Sequence, residues 1–527
     1  LLHPETLGYE FGLNRPMHIN KSQDGMYWIS DFSGSGIVKY DPKSIINITK
    51  SDSFPTNTTI EMKLDKNNNL WVSKLGSGLV QIVNESIKKH ITINDGLRSN
   101  NILDIEIDNY GNIWLATQDG LSKYDGRKIS NYTTNEGLPT NYIHALYIDN
   151  NGIKWLMTKK GLIKYNGVTV ETFDENDGLF VNRDSETISG STFKEMYIEG
   201  GPDNKLAIGI HNVGLSIFDG KKFNNYDIDD GLIDLRIRGV DFDSDGNIWV
   251  GTEGSGVFML DGDKFIRHTT KDGVANPEIY NLFVDDFDKV WVGTWGGGVG
   301  VYDGEVWGKL DKRDGLIDNT ISALTGSGGN TYYFAADEGI SKYIPSSSSG
   351  VTQIKEIITS TDKYIFGNNA ITMPQSITDN RISFIVSAAN YNTHKDKQQF
   401  RYRIKELSQD WSVPTTNPVF EWVPDVSGDF HFEVQSIDRD LNYSAPASVM
   451  FSVSYPWYRN GKTAVPFWGF IILIISFSIY STNNYITQRQ LSIQLKEHAQ
   501  KKDREARERL EEKNTELQVS QKAAETA

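Results

Sequence analysis

Gly246-Asn247-Ile248-Trp249-Val250-Gly251-Thr252 is the clearest copy of a motif that recurs eight times along the chain. Its core positions are Trp28, Trp71, Trp114, Trp155, Ile208, Trp249, Trp291 and Tyr333, with successive gaps of 43, 43, 41, 53, 41, 42 and 42 residues. A period of this length, carried by a glycine-rich and aromatic motif, is typical of blades in a β-propeller.

Each repeat predicts four short strands. Around Trp249 these are residues 237–242, 248–252, 257–260 and 264–269, with Asp261-Gly262 as a hairpin turn. Such a sheet cannot bury both of its faces alone, and radial stacking of several sheets solves this problem.

A second marker, an acidic residue followed by glycine and leucine or valine, connects successive copies. It occurs at 95–97, 136–138, 177–179, 230–232, 272–274 and 314–316. The eighth copy ends near Ile344 without a fourth strand, and residues 5–13 resemble an orphan fourth strand. We therefore expect a closed ring of eight blades. The alternative is a ring of seven, with one blade left over from a truncated upstream propeller.

The combination of Asn-Ile-Trp-Val-Gly-Thr with a downstream Tyr-Asp-Gly resembles the two-component regulator propeller repeat, over residues 1–345. The resemblance implies a sensory propeller of a membrane signalling receptor. The copy at Ile208 departs from the pattern, since Ala207-Ile208-Gly209-Ile210 replaces the tryptophan strand and a longer segment precedes it. An insertion near residues 183–193 is predicted there.

The overall composition excludes several kinds of protein. The chain has 527 residues, a formal net charge of -16 and no cysteine. The acidity argues against binding a nucleic-acid backbone, and the lack of cysteine excludes disulfides, thiol catalysis and cysteine metal sites. Because residue 1 is leucine, we expect a piece of a longer protein.

A different pattern follows a polar linker at 346–351. Residues 352–455 alternate between apolar and polar positions in six or seven short segments, which predicts an antiparallel β-sandwich. The segments 400–404, 411–412, 428–430 and 444–446 resemble the tyrosine-rich "YYY" immunoglobulin-like domain. That resemblance implies a position after a regulator propeller and just before a membrane.

No charged residue lies between Lys462 and Arg489, and the segment 463–482 within this stretch predicts one transmembrane helix. Eight basic residues lie in 483–513, which by the positive-inside rule predicts a cytoplasmic C-terminus and a periplasmic propeller on the inner membrane. Residues 483–527 have a helical composition with a thin leucine seam. This indicates either a solvated single helix or a signalling coiled coil that makes the receptor a homodimer.

The residues directly after the second strand of each repeat differ in chemistry from blade to blade. In a propeller these turns gather at one mouth of the central channel, and varied groups there predict a ligand site. The candidates are Asp31, Lys74, Gln118, Lys159, His211, Glu253, Trp295 and Asp337. Trp295, followed by three glycines, offers a flat face on which a sugar ring could stack.

We find no motif for catalysis, a metal or a cofactor. Asp241, Asp243 and Asp245 imitate the start of a calcium loop, but Thr252 stands where that loop needs glutamate. A hairpin turn is the preferred interpretation. The nine histidines show no metal spacing.

Together these features predict the periplasmic sensing and transmembrane signalling region of a two-component sensor histidine kinase. The expected ligand is a small molecule or an oligosaccharide, and the kinase itself is expected beyond the chain. The alternatives are a membrane-anchored surface binding propeller without kinase output, a sensor coupled to a diguanylate cyclase or DNA-binding output, and, because lyases carry similar repeats, an enzymatic propeller.

Overall fold

The computed structural model describes residues 16–525 apart from gaps at 24–25, 32–36, 41–43, 50–54, 56, 182–193, 328–329, 348, 360–362, 366–380, 391–392 and 454–460. Within these residues the chain forms 38 strands and one long α-helix. The mainly β fold predicted from the repeats is confirmed.

Six four-stranded antiparallel sheets follow one another along the chain. Blade 1 is β5–β8 (Thr59–Leu64, Leu70–Lys74, Gly78–Val83, Ser86–Ile91), and blade 2 is β9–β12 (Ile102–Ile107, Ile113–Thr117, Gly120–Tyr124, Ile129–Tyr132). Blade 3 is β13–β16 (Ala145–Ile148, Lys154–Thr158, Gly161–Tyr165, Val170–Phe173), and blade 4 is β17–β20 (Met196–Gly200, Leu206–Ile210, Gly214–Phe218, Phe223–Tyr226). Blade 5 is β21–β24 (Ile237–Phe242, Ile248–Thr252, Gly256–Asp261, Lys264–His268), and blade 6 is β25–β28 (Ile279–Val284, Val290–Thr294, Val299–Tyr302, Trp307–Leu310).

Blade 7 combines the two ends of the ring. Its first three strands are β29–β31 (Ala323–Ser327, Thr331–Ala336, Gly339–Tyr343), and its outer strand is β4 (Ile45–Thr49), which pairs antiparallel with β31. The first strands of neighbouring blades contact one another around the ring, and β29 contacts β5. The ring is therefore closed with seven blades.

The expectation of eight blades is wrong, and the alternative of seven holds. The first repeat forms a three-stranded sheet, β1–β3 (Pro16–Lys21, Tyr27–Asp31, Ile37–Tyr40), outside the ring. The outer strand of blade 7 comes from Ile45–Thr49, and residues 5–13, which we expected in that role, lie outside the described residues. Sequence repetition counts the copies of the motif but does not say which copy a fourth strand joins.

An aspartate and a tryptophan lock the turn between the first two strands in five blades. In blade 2, the Trp114 indole N–H donates to Asp108 at 2.8 Å, and the other carboxylate oxygen of Asp108 accepts the backbone N–H groups of Tyr110 and Asn112. The same indole–carboxylate bond joins Asp65 to Trp71, Asp149 to Trp155, Asp243 to Trp249 and Asp285 to Trp291. In blade 4 the strand register places Gly201 and Ala207 at these two positions, so both members of the pair are replaced together. Ile208, which we expected at the tryptophan position, is instead equivalent to Val250.

The acidic-Gly-Leu marker is a single helical turn that connects blades. In the copy at 136–138, Glu136 accepts from the backbone N–H and hydroxyl of Thr133, and Gly137 ends the turn at φ 98°, where other residues are strained. Leu138 is buried against the next blade. The marker thus sets the spacing between adjacent blades.

The glycine that begins the third strand also has a fixed reason. A Cβ on Gly161 would lie 2.1 Å from the carbonyl oxygen of Phe173 in the outer strand. Gly339 has the same relation to Ile48, at 2.3 Å, which shows that β4 occupies a regular outer-strand position.

Seven further strands follow the propeller in two sheets. One sheet has the order β33-β32-β34-β36 (Lys363–Ile365, Val351–Ile358, Ile382–Ala389, Val419–Trp422), and the other has β35-β37-β38 (Gln399–Ile404, Gly428–Ile437, Ala447–Val453). Phe384 and Phe432 stack between them with ring centroids 4.0 Å apart, inside one shared apolar core. This packing is the sandwich that the alternating pattern predicts.

Helix α1 (Gly461–Glu525) is long and apolar enough in its first part to cross a membrane. It continues without a break into the charged segment, so the predicted helical tail is continuous with the predicted membrane span.

The turn lock leads to a stability prediction. We expect Asp243→Ala to lower the free energy of unfolding by about 2–3 kcal/mol, because the indole of Trp249 and the amide of Asn247 lose a charged acceptor. Denaturant unfolding followed by tryptophan fluorescence measures this. Asp245→Ala, an exposed position in the same turn, is the control and should change stability little. Equal effects of the two substitutions would contradict the lock.

Candidate functional site

The turns after the second strands lie at one end of the ring, because all second strands run in the same direction. Six of the eight predicted site residues are described there with some exposure: Gln118, Lys159, His211, Glu253, Trp295 and Asp337. We call this end the mouth. Lys74, which we expected in the equivalent turn of blade 1, is instead the last residue of β6, where the strand register matches it to Thr252. It is fully buried, so it presents no surface to a ligand. Asp31 ends β2 in the sheet outside the ring, and its side chain lies outside the described residues.

Trp295 is the most prominent side chain at the mouth. It is 50% exposed and stacks on Tyr280 with ring centroids 5.2 Å apart and an interplanar angle of 24°. Its backbone is held by Glu278 and by the side chain of Asn276. One face of the indole is therefore supported, and the other part is open to solvent.

A charged pair supports this aromatic stack. The guanidinium of Arg238 lies 5.7 Å from the ring centre of Tyr280 and donates two hydrogen bonds to Glu253, at 2.5 and 2.9 Å. Two predicted residues, Glu253 and Trp295, are thereby joined through Arg238 and Tyr280, which the sequence analysis did not identify.

The remaining candidates have local partners. Gln118 accepts from Asn101 and donates to the hydroxyl of Tyr142, while Asp337 lies 3.5 Å from the hydroxyl of Thr58. His211 contacts the carbonyl of Ile237 through Nδ1, and burial together with Arg238 lowers its pKa. Lys159 is exposed. The mouth therefore holds groups of mixed charge.

Behind the mouth, the first strands enclose a cavity of about 310 Å³ lined by charged side chains. Lys194 reaches across the channel from blade 4 and pairs with Glu61 of blade 1 and Asp104 of blade 2, both at 3.0 Å. Lys63 pairs with Glu106 at 2.6 Å. The two pairs of Lys194 thus connect blades that are not neighbours in the ring, whereas the Lys63–Glu106 pair joins the adjacent blades 1 and 2.

Burial raises the pKa of several cavity carboxyl groups. The pKa of Asp104 and that of Asp241 are both raised to about 6, and the pKa of Glu199 is raised well above its ordinary value. Asp241 is held by the backbone N–H groups of Phe242 and Val284, the latter from blade 6. The signal that could have indicated this cavity is the presence of acidic residues in the middle of predicted buried strands.

The supposed calcium motif is divided between two structural roles. Asp241 faces the cavity, whereas Asp243 belongs to the turn lock with Asn247 and Trp249. The hairpin interpretation is confirmed. In the described part of the chain, no group of three or more His, Cys, Asp or Glu residues is arranged to hold a metal.

Two segments, residues 96–119 and 231–254, match the family model described as two component regulator propeller. The resemblance found in the repeats is confirmed there. No curated protein sequence matches the chain.

Solved structures show the same fold. One, named as the extracellular domain of the hybrid two-component system BT3049 from B. thetaiotaomicron, is 18% identical with a TM-score of 0.51, over 84% of this chain and 62% of that one. The chain thus spans less than two thirds of that neighbour. Two others align less well. The extracellular domain of BT4673 from the same organism is 15% identical with a TM-score of 0.30, over 85% of this chain and 81% of that one. Virginiamycin B lyase from Staphylococcus aureus is 12% identical with a TM-score of 0.44, over 56% of this chain and 97% of that one.

The raised pKa of Asp241 in the cavity makes the free energy of unfolding depend on pH, and a single substitution at this residue tests this. The folded pKa of Asp241, about 6, lies above its ordinary value of 3.8, so its contribution to stability is complete below pH 3.8 and is lost as pH rises through 6. Relative to the wild type, Asp241→Asn should therefore gain about 1–3 kcal/mol in unfolding free energy between pH 4.5 and 7.5.

His144 gives the opposite sign and serves as the internal comparison. Burial lowers its pKa from 6.5 to about 4, so its contribution is present above pH 6.5 and is lost as pH falls toward 4. His144→Phe should gain stability over the wild type as pH falls. Denaturant unfolding at several pH values measures the stability of each variant relative to the wild type. If this difference did not change with pH for either variant, the pKa shifts of Asp241 and His144 would be contradicted.

Proposed function

We propose that this chain is the ligand-sensing and signal-transducing extracytoplasmic region of a two-component membrane receptor. The observation that carries the proposal is the physical sequence of parts. A ring containing two-component regulator repeats, with a supported and half-exposed aromatic at its mouth, contacts a β-sandwich that precedes a helix able to cross a membrane. A scaffold of this kind links a recognition surface to a membrane crossing.

The ligand that best fits the mouth is a small molecule with a flat apolar face and several hydroxyl groups, such as an oligosaccharide. Trp295 supplies the stacking face, while Glu253, His211 and Gln118 supply donors and acceptors around the same channel. Sites of this type combine an apolar floor with a few fixed polar groups.

The remaining parts of the receptor are also proposed. Residues 463–482 span the inner membrane, the propeller and sandwich are periplasmic, and residues 483–527 form a coiled coil in a homodimer that leads to a histidine kinase. The basic segment after the span supports this orientation. A diguanylate cyclase or DNA-binding output, or a surface binding protein without output, would use the same sensor.

Ligand binding can be measured directly on the full chain in nanodiscs. We expect calorimetry against oligosaccharide pools to show binding, and Trp295→Ala to weaken it by about tenfold or more, because the stacking face is lost. Trp411→Ala, a tryptophan of the sandwich that contacts Arg401 and Arg403, is the matched control. Failure of broad pools to bind would remove the carbohydrate proposal.

The membrane topology can be checked in whole cells. Since the chain has no cysteine, the single substitutions Tyr110→Cys in the propeller and Glu516→Cys in the helix each give it one thiol, whose labelling is read on the protein after purification. A maleimide that crosses the outer but not the inner membrane should label position 110 in intact cells and position 516 only after lysis. The reverse result would place the propeller inside.

A further inference from the structure

The turn between β37 and β38 of the sandwich inserts into the propeller. Leu441, in this turn, is 7% exposed, and its side chain belongs to the same apolar cluster as Trp291, Leu310 and Tyr343 of blades 6 and 7. Ile437 of the sandwich and Ile45 of β4 also belong to this cluster. The core of the propeller is thus continued by residues of the sandwich.

The backbone of this turn is strained in a way that points to the joint. Leu441 has φ 62°, a left-handed conformation that is unusual for a leucine. The turn otherwise repeats the geometry of the blades, since Asp438 accepts the backbone N–H groups of Asp440 and Asn442, as Asp108 does in blade 2. Blade 2 has Gly111 at the left-handed position, so leucine here serves the contact rather than the turn.

The receiving surface of blade 6 is shaped for this turn. A Cβ on Gly308 would lie 3.0 Å both from the carbonyl oxygen of Arg439 and from a side-chain carbon of Leu441. The side chain of Gln399 donates to the carbonyl of Trp307 at 2.8 Å. Strand β28 therefore contacts the sandwich through its backbone.

Buried ion pairs surround the apolar contact. Asp314, the marker acid between blades 6 and 7, pairs with Lys397 and with Arg439, and these three side chains are 2%, 2% and 9% exposed. The equivalent marker acids Asp95, Glu136 and Asp177 are exposed. Asp440 accepts from the hydroxyl of Tyr343 at 2.5 Å and from the backbone N–H of Ser346.

We infer that the propeller and the sandwich form one rigid body, joined by the insertion of the turn Asp438–Asn442 between blades 6 and 7. Domains linked only by a short segment usually move relative to each other. Here such motion would expose Leu441 and leave buried charges without partners, which is strongly unfavourable. A displacement of the ring therefore reaches β38, the last strand before helix α1, without being absorbed at the junction.

The rigid joint between propeller and sandwich does not depend on the proposed ligand. It also provides a route by which binding at the mouth would reach the sandwich. Blade 6 carries Tyr280 and Trp295 at the mouth and β28 at the junction. A change in the tilt of this blade would therefore be passed directly to the sandwich.

Spin-label distances in the full chain in nanodiscs test the inference. With labels at Tyr110→Cys and Val413→Cys, positions 92% and 87% exposed, we expect one narrow distance distribution between the propeller and the sandwich. A broad or multiple distribution would overturn the inference without any further variant, and it would leave the ligand proposal untouched.

The contribution of the joint is tested by the double substitution Arg439→Ala and Leu441→Ala in the same labelled chain. We expect the narrow peak to be lost, while Leu407→Ala, at a half-exposed leucine elsewhere in the sandwich, should retain it. Two measurements report whether the variant is folded: far-ultraviolet circular dichroism, and the fluorescence of the tryptophans in the Trp–Asp turn lock. A narrow peak that persists in the folded double variant would show that another contact holds the two parts.

Discussion

The hydrogen bond from a tryptophan indole to an aspartate carboxylate is the interaction on which the ring depends. The aspartate holds the turn between the first two strands and, six residues later, the tryptophan that packs on the neighbouring blade. In blade 6 the same carboxylate also accepts the hydroxyl of Tyr332 from blade 7. One buried acid thus specifies both the local turn and the contact between blades. Burial raises the pKa of Asp108 while the hydrogen bonds from Trp114 and Asn112 lower it, and the net pKa lies below the ordinary value, so the acceptor stays charged.

The periodic features of the sequence could predict the blades because each is a local solution to a local problem. All four strands around Trp249 were predicted to within one residue, since turn residues and apolar alternation mark their ends. The blade count could not be predicted in this way. Strand β4 pairs with residues almost 300 positions later, and nothing local to Ile45–Thr49 indicates that partner.

The site was predicted in part for the same reason. The turn positions at the mouth follow from the repeat, so Glu253 and Trp295 could be identified from their variation. Tyr280 and Arg238 lie on first strands, where a charged or aromatic residue can face either the channel or a neighbouring blade. The long-range contacts of Leu441 and Asp314 depend on a docking geometry that no periodic pattern encodes.

The closure of the ring by β4 has a consequence for biogenesis. This strand is made before any blade of the ring, yet its partner β31 is among the last parts of the propeller to be synthesised. During synthesis, the segment Ile45–Thr49 therefore remains with an unpaired edge, the state in which strands tend to aggregate. The order of synthesis makes closure of the seven-bladed ring a late and non-local step of folding.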